Sequence, residues 1–500
     1  MIKVNRDKVL QMWQNNRLPF LSALGFGLAA HAFLLTGKIP VDDDLPNLFN
    51  KGATYVSGRY GLELTRLFLP DMSMPWIYGL MTLVLLSLAV CLTVRIFRIR
   101  SRALQLLLAG IFVSFPAETG TLCYMFTAVP YALALLLTVA GVWFFAGNRR
   151  GKWMAAPLLI AFSCSIYQGY FAFASSFCVI LMVRSLVTLG RSARAVLTEG
   201  LRMLGMLLLA AALYGLVIVV ASRILGLPLL SEAVNSRQSL PLRVAVAYSA
   251  WLKTLLAGTF GYLNTLPARL SCLLLLLAAG SAAVLPLRRH PDGRALVLLA
   301  LCLFLFPLSC YCLYLLADNS YIHALALYPF VSLYVLCAVL LDGAEAPDGI
   351  WLKRAGCLGL ALLLLYQVYF ANAFYLRAKL QYENTRALYT AVLSEVFAVP
   401  GFDENSRIAL LGEPAAGKTH LDEHFDFKRF TLPGVNITDL RQAENVITVY
   451  LGFDLPFASG QEAREIADSP GFAEMPVWPY AGSVRKFGDV VAVKFGEAAP

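Results

Sequence analysis

Three consecutive carboxylates, Asp42, Asp43 and Asp44, follow the first long apolar run in the segment IPVDDDLPNLFN. Adjacent carboxylates repel one another, and a nearby bilayer adds a desolvation cost. Such a group can hold a cation or keep one member poised as a general base. It also reads as a helix N-cap in a solvated loop, since Asp ahead of Leu-Pro opens helices well. Glu118 stands alone in FPAETG, between two short apolar runs, and reads either as a functional carboxylate or as a cap. Arg59, Tyr60, Glu63 and Arg66 recur at i, i+1, i+4 and i+7, near one helical face. Arginines so placed can grip a phosphate bidentately, or can pair with Glu63 and lipid headgroups. Tyr167-Gln168 closes another apolar run at a tight turn, where an interfacial tyrosine is the plainer reading. Asp318 and His323, with Asn319 and Tyr321, form a short polar loop and read as substrate contacts or as interface residues.

A second motif points elsewhere. Gly412-Glu413-Pro414-Ala415-Ala416-Gly417-Lys418-Thr419 fits a phosphate-binding loop in full, after the strand-like Ile408–Leu411. Few residues follow it, and 446–454 (VITVYLGFD) is a poor version of the acidic strand that such a fold needs. The distribution of basic loops also puts it outside, where ATP is scarce. ATP is therefore not expected as a ligand. Asn436-Ile437-Thr438 is a formal glycosylation sequon and reads as accidental.

The elements that must position these residues are dictated by composition. Apolar residues make up 59% of the 500 and charged residues only 14%, against roughly 25% charged in average soluble proteins. A water-soluble fold cannot hide that much apolar surface. A cytosolic enzyme and a disordered chain are excluded. The net charge of +10 is uneven: residues 1–371 carry +15 and residues 372–500 carry −5. No basic cluster interleaved with aromatics suggests nucleic acid. All ten cysteines lie between Cys91 and Cys357 without a C-x-x-C pair, so neither a disulfide framework nor a zinc site is indicated.

Apolar runs long enough to approach a bilayer's thickness number eleven: 18–37, 75–94, 103–116, 128–146, 153–168, 170–190, 204–226, 268–287, 295–316, 322–341 and 355–371. The first reads as a retained helix rather than a signal peptide. Segment 244–263 carries Lys253 and reads as interfacial or re-entrant. Twenty basic residues gather in alternate loops, including Arg95, Arg98, Arg100, Arg102, Arg184, Lys353 and Arg354. The positive-inside rule then puts the amino terminus in the cytoplasm and, after eleven spans, the carboxy-terminal region outside. In the long first outer loop, 38–74, apolar residues at Leu45, Leu48, Phe49, Gly52, Ala53 and Val56, and at Leu64, Leu67 and Phe68, predict two surface helices. The tail alternates β-like runs (Arg407–Leu411, Val446–Leu451, Val490–Phe495) with helical stretches, which predicts a small α/β domain. The expected fold is thus an all-α polytopic membrane protein with a small extracytoplasmic α/β domain. Its membrane part is 1–371 and its outer domain 372–500.

An acidic group just after the first span, in a long outer loop, resembles the GT-C class of membrane glycosyltransferases. More narrowly, VDDDL at 41–45, SGRYG at 57–61, FPAE at 115–118 and SIYQGY at 165–170 resemble the bacterial glucosyltransferase type-II (Gtr) family, over roughly residues 15–370. The resemblance implies a polyprenyl-phosphate sugar donor, with glucose favoured, and a cell-surface polysaccharide or wall-polymer acceptor. Catalysis would lie at the outer face of the bacterial cytoplasmic membrane. One carboxylate of Asp42–Asp44 would take the acceptor proton, and attack would invert the anomeric carbon. Arg59 or Arg66 would stabilise the departing phosphate, while Glu118 would orient the acceptor or share base duty. Tyr60, Tyr167, Gln168, Asp318 and His323 would line the substrates. A flippase and a polyprenyl-phosphate glycosyltransferase would supply the donor. Mg²⁺ or Mn²⁺ could sit on three carboxylates, but a phosphate monoester leaving group needs it less than a diphosphate, so no essential metal is expected. A transporter or flippase of lipid-linked sugars is the main rival. It predicts charges in mid-span and matched broken halves, whereas ionisable residues here crowd the span ends. A membrane acyltransferase would more naturally carry a buried His or His-Asp pair.

Overall fold

The computed structural model describes residues 6–49, 52, 57–65, 67–147, 154–226, 238–258, 266–289, 292–315, 324–344, 347–414 and 440–496. The chain divides into two compact units. One comprises the described residues within Met1–Gly37 and Lys51–Ala373; the other, those within Lys38–Asn50, Phe374–His424 and Leu432–Pro500.

The first unit is helical. Its elements are α1 (Arg6–Leu35), α2 (Tyr60–Thr65), α3 (Pro75–Phe97), α4 (Arg102–Ser114), α5 (Pro116–Cys123), α6 (Met125–Ala146) and α7 (Ala155–Ile166). There follow α8 (Phe171–Val187), α9 (Ala193–Leu225), α10 (Leu240–Lys253), α11 (Leu266–Arg289), α12 (Gly293–Cys310), α13 (Ser332–Asp342) and α14 (Pro347–Phe397), the last passing the unit boundary at Ala373/Phe374. Helix α3 packs on α6, α6 on α7, α1 on both α3 and α4, α8 on α12, and α7 on α9. Many side chains facing away from these contacts are apolar and exposed, among them Leu204, Leu208, Leu216, Val297 and Phe304. A helix apolar all round belongs in lipid, and the protein is a polytopic membrane protein.

Each of the eleven apolar runs has a helix, but they do not all qualify as spans. Among the described residues nine helices are long and apolar enough to cross a bilayer, and up to ten if α4 and α5 count as one bent span. The run at 153–168 supplies only the 12-residue α7. The bend between α4 and α5 is 44°. Pro116 causes it: proline disfavours the helical region for the residue before it, and Phe115 is extended at φ −55°, ψ 138°. The run at 244–263 is helical over α10, and a short π-turn covers Thr254–Gly258.

The second unit contains three strands, β1 (Arg407–Leu411), β2 (Val484–Phe487) and β3 (Val490–Lys494), in the order β1-β3-β2, with β3 parallel to β1 and antiparallel to β2. Short helices α15 (Leu440–Asn445), α16 (Gly460–Ala467) and α17 (Pro470–Ala473) complete it. Strand side chains alternate between faces. Ile408, Val491 and Val493 pack with Tyr389, Val392, Leu393 and Val396 of α14. Ala409, Leu411, Val490 and Ala492 pack with Ile466 and Phe472. Central β3, covered on both faces, is therefore buried throughout.

Two expectations fail here. Val446–Leu451 is not a strand: Val446–Tyr450 forms a π-helical turn that buries Val446 and Ile447. The acidic strand sought for a phosphate-binding loop is thus absent at 446–454. The left-handed Gly412 (φ +77°) serves packing, since a Cβ there would meet Gly496 N at 2.4 Å. Residues 415–419 of that motif and the sequon at 436–438 lie outside the described residues. Nor does a surface helix begin at Leu45. Residues 45–49 form turns, and Leu45 is fully buried among Tyr389, Val392 and Val491 of its own unit.

Candidate functional site

Those expected site residues that are described fall into two groups, one in each unit. Asp42–Asp44 form a 3₁₀ turn in the second unit. Asp43 is exposed. Asp44 is buried and ion-paired with Lys38, and it acts electrostatically on the Tyr450 phenol. That hydroxyl is buried without a hydrogen-bond partner among the described residues. Burial first, and the Asp44 charge second, push the Tyr450 phenol up from its ordinary value. No helix follows the triplet within 45–49, so its reading as a helix N-cap fails.

The other group lies in the helical unit, where SGRYG docks on SIYQGY. Helix α7 stops at Ile166, Tyr167 is extended (φ −151°, ψ 110°), and a 3₁₀ turn covers Gln168–Tyr170 before α8. Gln168 Nε2 donates to the Ser57 carbonyl at 2.6 Å and to the Tyr214 hydroxyl at 2.8 Å. Tyr214 in turn donates to the Gly58 carbonyl at 3.3 Å. Gly61 lies so close to α7 that a Cβ would meet Ser165 Oγ at 2.1 Å. Tyr60 is buried and its hydroxyl pairs with Ser222 Oγ at 2.9 Å, an anchor for α2.

These contacts fix Arg59. Its Nη1 donates to the Tyr131 hydroxyl at 2.8 Å, and the guanidinium sits 5.9 Å and 5.4 Å from the Tyr131 and Tyr167 ring centres. Tyr131 and Tyr167 stack at 4.4 Å, Tyr167 meets Tyr170 edge-on at 5.0 Å, and Tyr170 meets Tyr328 at 6.3 Å. Beside the last two lies Glu118, whose carboxyl acts electrostatically on both phenols. Glu118 is in the first turn of α5, where the helix dipole favours negative charge. It is fully buried, and neither carboxylate oxygen has a hydrogen-bond partner among the described residues. The Tyr328 hydroxyl donates instead to the Phe112 carbonyl at 2.9 Å.

A family model described as Glucosyl transferase GtrII matches residues 32–340. The chain belongs to this family. No curated protein and no solved structure matches it. The GtrII match takes in the acidic turn, Arg59, Glu118 and the Tyr167–Tyr170 turn, while residues 341–500 lie beyond it. Membership makes the protein a glycosyltransferase. Tyr170 stood out only as the last residue of SIYQGY, and Tyr131, Tyr214 and Tyr328 not at all, because nothing distinguishes them in sequence from interfacial tyrosines. Arg66, Asp318 and His323 lie outside the described residues, as does the side chain of Asp42. Among the described residues no group of three His, Cys, Asp or Glu could hold a metal ion.

Proposed function

We propose that this GtrII member transfers a sugar, glucose by family, from a polyprenyl-phosphate donor to a cell-surface polysaccharide or wall polymer at the outer face of the bacterial cytoplasmic membrane. The observation that carries the reading is the aromatic run from Arg59 through Tyr167 and Tyr170 to the buried Glu118. It offers a cation for phosphate, aromatic faces for a sugar ring, and a carboxylate held out of water. A carboxylate so placed needs a hydroxyl to accept from, since an unpaired buried charge is expensive.

Arg59 receives the donor phosphate. An acceptor hydroxyl gives up its proton to a carboxylate, its oxygen bonds to the anomeric carbon, and the bond from that carbon to the phosphate oxygen breaks with inversion. The electron pair leaves on the lipid phosphate, where a guanidinium stabilises it. Glu118 orients the acceptor or takes its proton. Within the triplet, exposed Asp43 suits the base role better than Asp44, which Lys38 already engages. No essential metal is required.

The placement of Arg59 and Glu118 supports an outer site. Glu118 follows the end of α4 remote from the basic turn Arg98–Ser101, and Arg59 bonds to Tyr131 in the second turn of α6, which comes directly after α5. The test is transfer from radiolabelled polyprenyl-phosphate glucose by the reconstituted protein. Near-normal transfer by Arg59→Gln, Glu118→Gln and each single Asp→Asn variant of 42–44 rejects this site. Activity lost in EDTA and restored by Mg²⁺ or Mn²⁺ overturns the metal-free mechanism.

A further inference from the structure

At the opposite end of the helical unit, four helix ends meet. Phe97 at the end of α3 packs edge-on against Phe177 of α8 at 5.1 Å. Gly343, just past α13, lies against Thr188 at the end of α8, and Gly356 of α14 against Leu341 of α13. These contacts bring together Arg98 and Arg100 from the turn after α3, Arg184 from the last turn of α8, and Lys353 and Arg354 from the start of α14. Arg184 is within electrostatic reach of Arg98, Arg100 and Asp342.

Among the described residues, Asp342 is the carboxylate that faces this cluster, and it is already engaged. It accepts from the backbone N–H groups of Arg100 at 2.8 Å and Ser101 at 2.9 Å, and Lys353 Nζ lies 4.0 Å away. Neither Arg98 nor Arg184 has an ion-pair partner among the described residues. Arg98 also holds a left-handed backbone (φ 50°, ψ 45°) at the end of α3. Glycine normally fills such a place, and a residue with a Cβ there carries strain. Beside the cluster, Trp351 is 70% exposed with the Arg354 guanidinium 5.0 Å from its ring centre, and Ile350 is exposed too. Exposed Trp beside Arg at a helix end sits at headgroup level in a bilayer.

We propose that Arg98, Arg100, Arg184 and Lys353 form a binding site for the headgroup of an anionic phospholipid. Basic pockets between membrane helices hold such phosphates, and arginine forks fit their oxygens. The adjoining Trp351 and Ile350 select a lipid over a free anion, because acyl chains cover them. Helix α8 links this site to the Tyr170 end of the sugar-transfer site, over 17 residues or about 25 Å.

The test is native mass spectrometry and nanodisc exchange on the full-length protein, with cardiolipin, phosphatidylglycerol or phosphatidylethanolamine as the probe. Wild type should retain the two anionic lipids at least about fivefold over phosphatidylethanolamine. The double variant Arg98→Gln/Arg184→Gln should lose that preference, while Arg98→Lys/Arg184→Lys and Arg223→Gln, at the far end of α9, should keep it. Equal retention of all three lipids by wild type overturns the proposal without recourse to any variant. So does an unchanged preference in the double Gln variant, or displacement of bound lipid by an equal concentration of inorganic phosphate.

Discussion

Gln168 holds Ser57: its amide nitrogen lies 2.6 Å from the Ser57 carbonyl oxygen, across 111 residues of sequence. The bond sets the path of the chain into Arg59, two residues on. Removing it leaves Arg59 its Tyr131 bond but frees the loop behind it. Gln168 also donates to Tyr214, and hydrogen bonds of this kind contribute about 1 kcal/mol each to stability, so Gln168→Ala should fold. Misplacement of a phosphate-binding arginine by about 1 Å costs on the order of a hundredfold in rate. Transfer by Gln168→Ala should fall tenfold to a hundredfold while the melting temperature moves little; full transfer would mean that the clamp does not position Arg59.

Gly61 makes the same point through sterics. A methyl group there overlaps Ser165 Oγ and lies 3.0 Å from the Ser165 carbonyl carbon, which is backbone and cannot rotate away. Overpacking of this sort costs about 1–3 kcal/mol. Gly61→Ala should lower both stability and transfer. Adding Ser165→Ala should restore only part of each, because the backbone clash persists. Thermal unfolding and the transfer assay read the two effects, and complete rescue would place the clash in the hydroxyl alone.

Glu118 separates stability from function. A buried carboxylate with no partner is a burden on the fold. Glu118→Gln keeps the shape and removes the charge, so the protein should melt at the same temperature or higher. Transfer should drop at least about a hundredfold, the usual scale of a placed acid–base group. A purely structural carboxylate would reverse the pattern, with stability lost and rate kept.

What the sequence disclosed, and what it withheld, follows from the range of the interactions. Proline and cap positions are local. Pro75 opens α3 at its first turn, Ser101 accepts from Leu104 N at the start of α4, and Pro116 breaks the helix ahead of Glu118. The strand runs at 407–411 and 490–494 were equally legible, because a buried strand is a short apolar run between turns. Val446-Ile447-Thr448-Val449-Tyr450 has the same look and is helical. Val446 and Ile447 pack in the core with Tyr389 and Val491 from this helical turn, and tertiary packing outweighs their strand preference. Leu45 is buried among residues some 350–450 positions later, a partnership no local pattern encodes. The site divides likewise. SGRYG and SIYQGY are visible as words, but their pairing, and the tyrosines that join Arg59 to Glu118, are contacts between distant spans.

Within the acidic triplet, Asp43 and Asp44 should respond in opposite ways. Asp44 is buried against Lys38, whose side chain is 20% exposed. Cutting a pair of that kind costs about 1–3 kcal/mol after allowance for Lys38's contact with water. Asp44→Asn and Lys38→Met should each lower the melting temperature, and the double variant should lose less than their sum. Asp43 is exposed, so Asp43→Asn should melt as wild type and lose transfer at least about a hundredfold. Equal melting temperatures for Asp43→Asn and Asp44→Asn would remove the distinction.

In the strand-bearing unit, Glu462 predicts a pH dependence. Ser459 N–H and Oγ–H donate to its carboxylate in a capping box at the start of α16, and Arg407 pairs with it. The Ser459 backbone bond first, then the Ser459 hydroxyl, and more weakly Arg407, hold the carboxyl below its ordinary value. A carboxyl lowered in the folded state binds protons more readily unfolded. Its stabilisation is complete above the ordinary Glu range, about 4.3, and disappears as pH falls through the folded value. Glu462→Gln cannot titrate, so its deficit in melting temperature should be largest at pH 6–7 and should close as the pH drops from about 4 toward 3. Asp403, lowered by its bonds from Ser406 and Asn405, weakens the fold in the same acid range, but equally in both proteins, and cancels from the comparison. Parallel melts from pH 7 to pH 3 decide the matter: a gap that stays constant across the series would show that Glu462 acts through shape and not through charge.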